Sequence, residues 1–421
     1  LPEINLYKKI TDLKMRDKKN IIVLKFGGTS VGDKDKIKRV ADRIIKTRLE
    51  GNSVVVTVSA MGDATDRLIE LAGKVASSPS RREMDMLLST GEQASSALLA
   101  MAIQEKGYGC ISLSGGQAGI LTDDVYSNAK ILNINVDRIN REFKKDRVVV
   151  VAGFQGVNTD GNITTLGRGG SDITAVALAS ALKARYCEVH TDVGGVYSAD
   201  PNLVDGAIKL ETLSYDEMLE LASSGAKVIH SRAVEFARKH NVILHIRSSF
   251  NDVEGTWVMD DYKKDEIMEK PLITGVTYDI GETKVSIFGL EDKPGIAAKL
   301  FGKLADADID VDLIVQNVSE KNFAAISFTV KNEDLSLAKE ILNKLKSIRV
   351  EVDTDIAKVS IVGAGMQTHP GVAAKMFKIL ADRDINIEMI STSPIRISCV
   401  VKKSRIKEAI KALHSGFGLA K

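Results

Sequence analysis

Lys25-Phe26-Gly27-Gly28-Thr29-Ser30 places a mobile cation directly before two adjacent glycines. It follows a β-branched run, Ile21–Leu24, and precedes a helical pattern. Glycines let backbone N–H groups approach a phosphate with no Cβ in the way, a helix N-terminus adds favourable potential, and the lysine supplies a point charge. The chemistry this suits is phosphate binding, although Gly-Gly alone is more often a tight strand-to-helix turn with an exposed lysine. The pattern G-x-x-x-x-G-K-[ST] is absent, so the site is not a Walker-type loop.

A second stretch, Thr164-Thr165-Leu166-Gly167-Arg168-Gly169-Gly170-Ser171-Asp172, joins a glycine-rich loop to an Ala-rich helix expected over Ile173–Ala184, with Ser171 and Asp172 placed to cap it. Arg168 can fork onto a carboxylate, and Asp172 can orient Mg²⁺ or a phosphate-binding lysine. Gly-Gly-Ser-Asp is also a plain helix start, but an arginine between loop glycines has little structural purpose. The third stretch, Thr191-Asp192-Val193-Gly194-Gly195-Val196-Tyr197-Ser198-Ala199-Asp200-Pro201, is a long loop after a strand, where open α/β sheets place their ligands. Lys227, between two helical stretches, can reach the same crevice.

Other signals carry less. Gly363-Ala364-Gly365 resembles the start of a dinucleotide fingerprint, but the third glycine position holds Thr368. None of the six histidines forms H-E-x-x-H or a Cys/His cluster, and G-x-S-x-G is absent, so zinc hydrolysis and serine esterase chemistry have no support and no metal site is assigned to protein side chains.

The elements that must position these residues are legible as apolar runs separated by helical stretches: Ile21–Leu24, Val54–Val58, Cys110–Leu113, Val148–Ala152, Cys187–His190 and Val242–Ile246. Such runs indicate a mainly parallel sheet with helices on both faces, an α/β domain over 21–270 preceded by a tail, 1–20. Ser214-Tyr215-Asp216-Glu217 is a capping-box helix start, and 251–271 turns polar, as a linker or small excursion would. At 421 residues, two or three domains are expected. Net charge of +2, with one Lys/Arg-dense stretch at Lys8–Lys19 lacking aromatics, gives no sign of a nucleic-acid partner. No run reaches the roughly 18 apolar residues of a spanning helix. Three widely spaced cysteines and the lack of an apolar signal core fit a reducing cytoplasm. The chain begins at Leu1, and Met15 is a plausible alternative start.

The remainder repeats itself. Pro294-Gly295 recurs as Pro370-Gly371, Leu304-Ala305-Asp306 as Leu380-Ala381-Asp382, and Asp308-Ile309 as Asp384-Ile385, all at one offset of 76 residues. Lys284-Val285-Ser286-Ile287 recurs as Lys358-Val359-Ser360-Ile361 at 74, so the second copy has two extra residues before Pro370. Each copy reads strand, Pro-Gly turn, helix, strand, strand, helix, the split βαβ pattern of a ferredoxin-like module. The expected extents are 283–350 and 356–421.

In order and spacing, Lys25–Ser30, Leu166–Asp172 and Thr191–Pro201 together resemble the aspartate kinases, from about Ile21 to the C-terminus. The resemblance implies an amino-acid kinase fold followed by a tandem ACT pair. It implies MgATP beside Lys25, Phe26, Gly27, Gly28 and Ser30, with Ser59, Thr191, Asp192, Tyr197, Ser198, Ala199, Asp200, Pro201 and Lys227 as further nucleotide contacts. Thr65, Glu92, Arg168, Gly169, Gly170 and Ser171 match positions that hold L-aspartate, and Lys25, Asp172 and Lys227 match the catalytic set. An amino-acid effector, lysine and/or threonine, is implied between the modules, at Asp292, Ala297, Gln316 and Asn317 of the first and Val372, Ala373, Asn386, Ile387 and Ser393 of the second. The sequence departs from the family pattern at Pro394 and Ala373, which bears on which effector is bound. ACT pairs can exchange strands, which bears on the boundary near Val352, and they commonly associate, so a homodimer or higher oligomer is expected.

The residue chemistry agrees. An α-amino acid needs a cationic fork for its carboxylate and an anion for its ammonium, which Arg168 and Glu92 supply. Its side-chain carboxylate is already ionised, so no general base is needed, and catalysis reduces to positioning and charge stabilisation. A kinase for glutamate or N-acetylglutamate would not normally carry the tandem modules. A non-catalytic amino-acid sensor would have no reason to hold Lys25, Arg168, Asp172 and Lys227 together. Nothing beyond Lys421 remains for a fused dehydrogenase, so a monofunctional kinase is expected.

Overall fold

The computed structural model describes residues 19–226, 228–260, 272–291, 293–318, 323–344 and 349–420. Lys227, Asp292 and most of the 1–20 tail lie outside the described residues. The chain divides into two units. Of the described residues, the first holds 19–196, 209–222 and 228–260, and the second holds 197–208, 223–226 and those from 272 on.

The first unit begins β1 (Lys19–Phe26), α1 (Lys34–Leu49), β2 (Ser53–Val58), α2 (Ala64–Val75), α3 (Arg81–Glu105) and β3 (Cys110–Leu113). There follow β4 (Ile120–Thr122), β5 (Ile131–Ile134), α4 (Asp137–Phe143), β6 (Val148–Ala152), β7 (Gln155–Val157) and β8 (Ile163–Thr165). It ends with α5 (Gly170–Leu182), β9 (Ala184–Thr191), β10 (Thr212–Leu213), α6 (Tyr215–Ser223), α7 (Ser231–His240), β11 (Leu244–Ser248) and β12 (Thr256–Val258).

The main sheet runs β10-β12-β11-β9-β1-β2-β6-β3, and only the β11–β12 pair is antiparallel. All six apolar runs of the sequence became its neighbouring strands β11, β9, β1, β2, β6 and β3. Val148–Ala152 is buried at every position, as a strand covered on both faces must be. Each such Val or Ile contributes roughly 1.5–3 kcal/mol through burial. The polar stretch after Asn251 is more than a linker, since Thr256–Val258 adds a strand to the sheet between β10 and β11. A small second sheet, β5-β4-β7-β8, has strands of three or four residues, too short for alternation to reveal them. The capping box forms as expected: Ser214 N–H and Oγ donate to Glu217 Oε2 at 3.1 and 2.8 Å, and Glu217 N–H donates to Ser214 Oγ at 3.2 Å.

The second unit contains β13 (Gly275–Asp279), β14 (Glu282–Glu291), α8 (Ile296–Ala305), β15 (Val311–Val318), β16 (Phe323–Lys331), α9 (Leu335–Asn343) and β17 (Arg349–Asp353). A second set follows: β18 (Ile356–Val362), α10 (Val372–Ala381), β19 (Met389–Ser393), β20 (Arg396–Lys402) and α11 (Ile406–Gly416). The sheets are β15-β16-β14-β17 and β13-β18-β20-β19. The Pro-Gly turns match: Gly295 and Gly371, at φ +93° and +92°, begin α8 and α10 in the left-handed conformation that glycine adopts without a Cβ penalty.

The second module is therefore not confined to 356–421. Its sheet takes its edge strand from β13, so the first module is inserted within it. The repeat could not reveal this, because the matching edge strand of the first module, β17, follows its last helix, whereas β13 precedes the whole first module.

Within the second unit the modules meet through reciprocal contacts. Lys284 pairs with Glu388, and Lys358, its counterpart in the repeat, pairs with Asp312 and with Glu282. Leu313, Val315, Ile356, Met389 and Val400 form a small apolar cluster beside these pairs.

Candidate active site

Lys25 lies on the α5 side of β1, and its Nζ is 2.6 Å from Asp172 Oδ1. Asp172 was expected to cap its helix together with Ser171. Instead Gly169, at φ +70°, is the residue before α5, and Ser171 and Asp172 fall inside the first turn. The helix also ends at Leu182, two residues earlier than expected, because Lys183 turns left-handed and Ala184 opens β9. The shift leaves the Asp172 carboxylate free of capping duty. One oxygen faces Lys25, and the other accepts from His230 N–H at 3.1 Å.

The glycine turn is held by the loop after β2. Ser59 N–H donates to Phe26 O at 3.1 Å and Gly62 N–H to Gly28 O at 3.1 Å. A Cβ on Gly28 would come within 2.6 Å of Ala60 O, so the close approach requires glycine. Ser30 Oγ and Ser249 Oγ are 2.6 Å apart, and Ser249 N–H donates to Thr191 O at 2.8 Å. Thr191 Oγ1 in turn donates to Asp192. The turn, Ser59 and the Thr191-Asp192 pair thus belong to one hydrogen-bonded cluster.

Glu92 projects from α3 and is buried. Its Oε1 accepts from Ala60 N–H at 3.1 Å, while Oε2 is buried with no hydrogen-bond partner among the described residues. Burial pushes its carboxyl up from 4.5 to about 7. Gly91 permits this approach, since a Cβ there would lie 2.9 Å from Ala60 Cβ. Ser171 is buried beside Gly153 and Thr57, where any Cβ on Gly153 would strike Ser171 Oγ at 2.7 Å. Gly169 brings the backbone against His230, whose ring a Cβ would meet at 2.2 Å, and Gly170 packs against Phe154. Arg168 is exposed on the same loop, and Thr65 sits half-buried in the first turn of α2.

Tyr197, Ser198, Ala199, Asp200 and Pro201 are in the second unit. There Ser198 and Ala199 are buried, Ser198 Oγ is 2.9 Å from His414 Nε2, and Asp200 Oδ2 accepts from Tyr278 OH at 3.2 Å. Both excursions of the chain into this unit rest on β13. Val276 N–H donates to Ser198 O at 2.7 Å, and Thr277 Oγ1 donates to Ser224 O at 3.2 Å. Of the residues implied for an effector, Gln316 and Asn317 are exposed on the edge strand β15. Ser393 ends the edge strand β19, with its Oγ accepting from Ile395 N–H. Val372 is buried and Ala373 half-buried at the start of α10; Ala297 and Ile387 are half-buried, and Asn386 is exposed.

Sequence reasoning missed a network under the opposite face of β1. His190 stacks on Phe26 at 4.3 Å, its Nδ1 lies 3.1 Å from Arg43, and its Nε2 lies 2.7 Å from Glu188. Arginine can only donate, so Nδ1 is the acceptor and Nε2 carries the proton toward Glu188. Burial lowers the pKa of His190. Burial would raise Glu188, but hydrogen bonds from His190 and His245 hold it well below the carboxylate range. Arg43 also donates to Ser248 O and Asn251 O, fixing the loop that carries Ser249. Scattered over four elements, β1, α1, β9 and β11, these residues have no linear signature.

Among the described residues no three His, Cys, Asp or Glu side chains gather as a metal cage. The Asp172 carboxylate is already engaged by Lys25 and a backbone N–H, so the residues present do not fit a protein-held Mg²⁺, and a cation would enter with the nucleotide as its phosphate counter-ion. No described helix is long and apolar enough to cross a membrane.

Residues 20–248 match the amino acid kinase family, and 285–350 and 359–417 each match an ACT domain. The chain is 50% identical over 401 residues to the aspartokinase of Geobacillus stearothermophilus, covering 95% of this chain and 98% of that one. It is 49% identical over 409 residues to the aspartokinase of Mycobacterium bovis, covering 95% and 96%. Among solved structures, E. coli aspartokinase III in complex with aspartate and ADP, in the R-state, aligns with a TM-score of 0.80 at 26% identity, over 94% of this chain and 99% of that one. The same enzyme with lysine and aspartate, in the T-state, aligns at 0.73, also at 26% identity, over 95% and 100%. The chain belongs to the aspartokinase family.

Proposed function

We propose that this aspartate kinase transfers the γ-phosphoryl group of MgATP to the side-chain carboxylate of L-aspartate, giving 4-phospho-L-aspartate and ADP. The observation that carries this reading is Glu92: a buried carboxylate with one orphaned oxygen, beside the loops that brace the Lys25–Gly28 turn. A ligand ammonium would satisfy that oxygen and restore the charge that burial discourages. Arg168 would take the α-carboxylate. A side-chain carboxylate oxygen would then attack the γ-phosphorus as the bond to the bridging oxygen breaks, and no proton need be removed. Lys25, held by Asp172, would meet the charge developing on the phosphoryl oxygens. The aspartate and ADP in the E. coli relative support the same substrate pair.

The tandem modules support feedback control by lysine, threonine or both, and lysine in the E. coli relative supports an amino-acid effector. Regulation of this kind fits the first step of a pathway from aspartate to lysine, threonine and methionine. The test is ATP-dependent hydroxamate formation from aspartate, repeated with lysine, threonine and both. Absence of aspartate-dependent product would end the reading, and product indifferent to both amino acids would remove them as effectors.

A further inference from the structure

Asp85 has no place in the phosphate or ammonium contacts described above, yet it is fully buried. Its Oδ2 accepts from Ser127 N–H at 2.9 Å and Thr165 N–H at 2.8 Å; its Oδ1 accepts from Ser127 Oγ at 3.2 Å and Thr165 Oγ1 at 2.7 Å. Oδ2 thus takes both N–H groups and Oδ1 both hydroxyls, a charge-assisted clamp across two loops. Thr165 is the last residue of β8 and leads directly into Leu166-Gly167-Arg168.

The rest of that loop is pinned in the same way. Leu166 N–H donates to Phe154 O at 2.8 Å, Leu166 O accepts from Arg232 at 2.7 Å, and Thr165 O accepts from Ala129 N–H at 2.9 Å. Gly167, at φ +73°, passes Ser127 so closely that a Cβ would sit 3.0 Å from its carbonyl oxygen. Asp85 is therefore the buried charge at the root of the segment that carries Arg168.

Asp85 and Glu92 are both on α3, seven residues apart. Seven residues are close to two helical turns, so both project from one face, about 10 Å apart along the axis. Ser89, between them, is also buried. A helix face turned inward with Asp, Ser and Glu is not what packing alone selects, since each buried carboxylate carries a desolvation cost. One end of this polar stripe presents the ammonium-binding candidate, and the other grips the loop bearing the carboxylate-binding candidate.

We propose that Asp85 is a positioning residue that fixes the separation between Glu92 and the Arg168 loop, and so sets how firmly the site grips the α-ammonium and α-carboxylate of its amino acid together. The inference rests on the aspartate kinase reading above. It assigns that grip to the rigid spacing along α3 as well as to the two residues that would touch the ligand.

The test is steady-state kinetics of Asp85→Asn and Thr165→Val with aspartate and with ATP varied in turn. An amide at 85 keeps an oxygen for the two N–H groups and can donate to the two hydroxyls, but it loses the charge that strengthens all four bonds, so the loop is held less firmly. The aspartate KM should rise at least tenfold in Asp85→Asn and severalfold in Thr165→Val, with the ATP KM within twofold of the parent. Thr165→Ser, which keeps both donors, should retain parent values. A purely structural role predicts otherwise: fewer active molecules, hence lower apparent kcat with both KM values unchanged, and that result would overturn the proposal. If Asp85→Asn does not fold, Thr165→Val against Thr165→Ser decides on the same criteria. A parent enzyme that forms no aspartate-dependent acyl phosphate would instead overturn the underlying functional reading.

Discussion

The ammonium of Lys25 and the carboxylate of Asp172 are 2.6 Å apart, and both are largely shielded from solvent. A lysine held this way loses its rotamer freedom, so its ammonium is already in place when charge develops in the transition state. Lys25→Ala should lower kcat by about a hundredfold or more, near 3 kcal/mol, while raising the aspartate KM little. Asp172→Asn should lower kcat less, since Lys25 remains but is no longer anchored. Turnover of Lys25→Ala within about threefold of the parent, under 1 kcal/mol, would exclude the role.

Glu92 makes binding and stability depend on pH in opposite directions. Its folded-state carboxyl titrates at about 7, above its ordinary 4.5. The folded protein therefore holds a proton that the unfolded chain has released. The associated stability is complete below pH 4.5 and is lost as pH rises through 7, by roughly 3 kcal/mol in all. Glu92→Gln has no such loss, so its stability relative to the parent should improve between pH 5 and 8 in denaturant titrations of the free enzyme. Aspartate affinity of the parent should rise over the same interval as the anion forms, and the glutamine variant should bind aspartate poorly at every pH. A parent affinity flat from pH 6 to 8 would show that this carboxyl does not meet the ammonium.

Arg168→Lys should damage aspartate binding although charge is kept, because an ammonium cannot reproduce a bidentate fork. Calorimetric titration with aspartate and, separately, with nucleotide checks this. Unchanged aspartate affinity would assign the fork elsewhere.

Lys358 is buried against Glu282 and Asp312. Burial acts to lower its pKa, but the two carboxylates outweigh it and the lysine titrates above its usual range. Lys358→Met would leave two acids facing each other without a cation, at a cost of roughly 3–5 kcal/mol. The transition of the second unit in calorimetry should fall accordingly, whereas Lys378→Met, on an exposed pair, should change it by less than about 0.5 kcal/mol. Equal effects would mean that the module contact contributes nothing special.

Ser393 ends the edge strand β19 and is half-buried. If an effector is taken beside it, Ser393→Phe should weaken inhibition while uninhibited kcat stays near normal, because a regulatory ligand acts only through its differential affinity for two states. Inhibition curves with lysine and threonine, singly and together, decide the matter, and unaltered curves would move the regulatory site.

What the sequence made legible follows from range. Val148–Ala152 and Ile21–Leu24 announce buried parallel strands because every residue is apolar over a continuous run. Lys25 with Gly27-Gly28 and Arg168 among loop glycines could be singled out because each is chemically odd for its local setting. Asp85 and Glu188 could not. Their neighbours in the chain are ordinary, and what makes them informative is burial against partners tens to scores of residues away. Asp172 shows a finer limit. Its type and place beside a helix were readable, but whether it caps the helix or faces Lys25 turned on a shift of two residues, fixed by Gly169 turning left-handed.

The insertion of one module within the other has a consequence for synthesis on the ribosome. Gly275–Asp279 emerges early, but its partner strand, Ile356–Val362, is translated only after the whole first module. At ~5–20 residues per second, that first strand waits on the order of ten seconds for hydrogen bonds along this edge. During that interval the first module, whose sheet is built entirely from Glu282–Asp353, can close by itself. The nascent chain thus completes the inner module first and the outer one last, and Ser198 O and Ser224 O, already made, lie on the strand that waits.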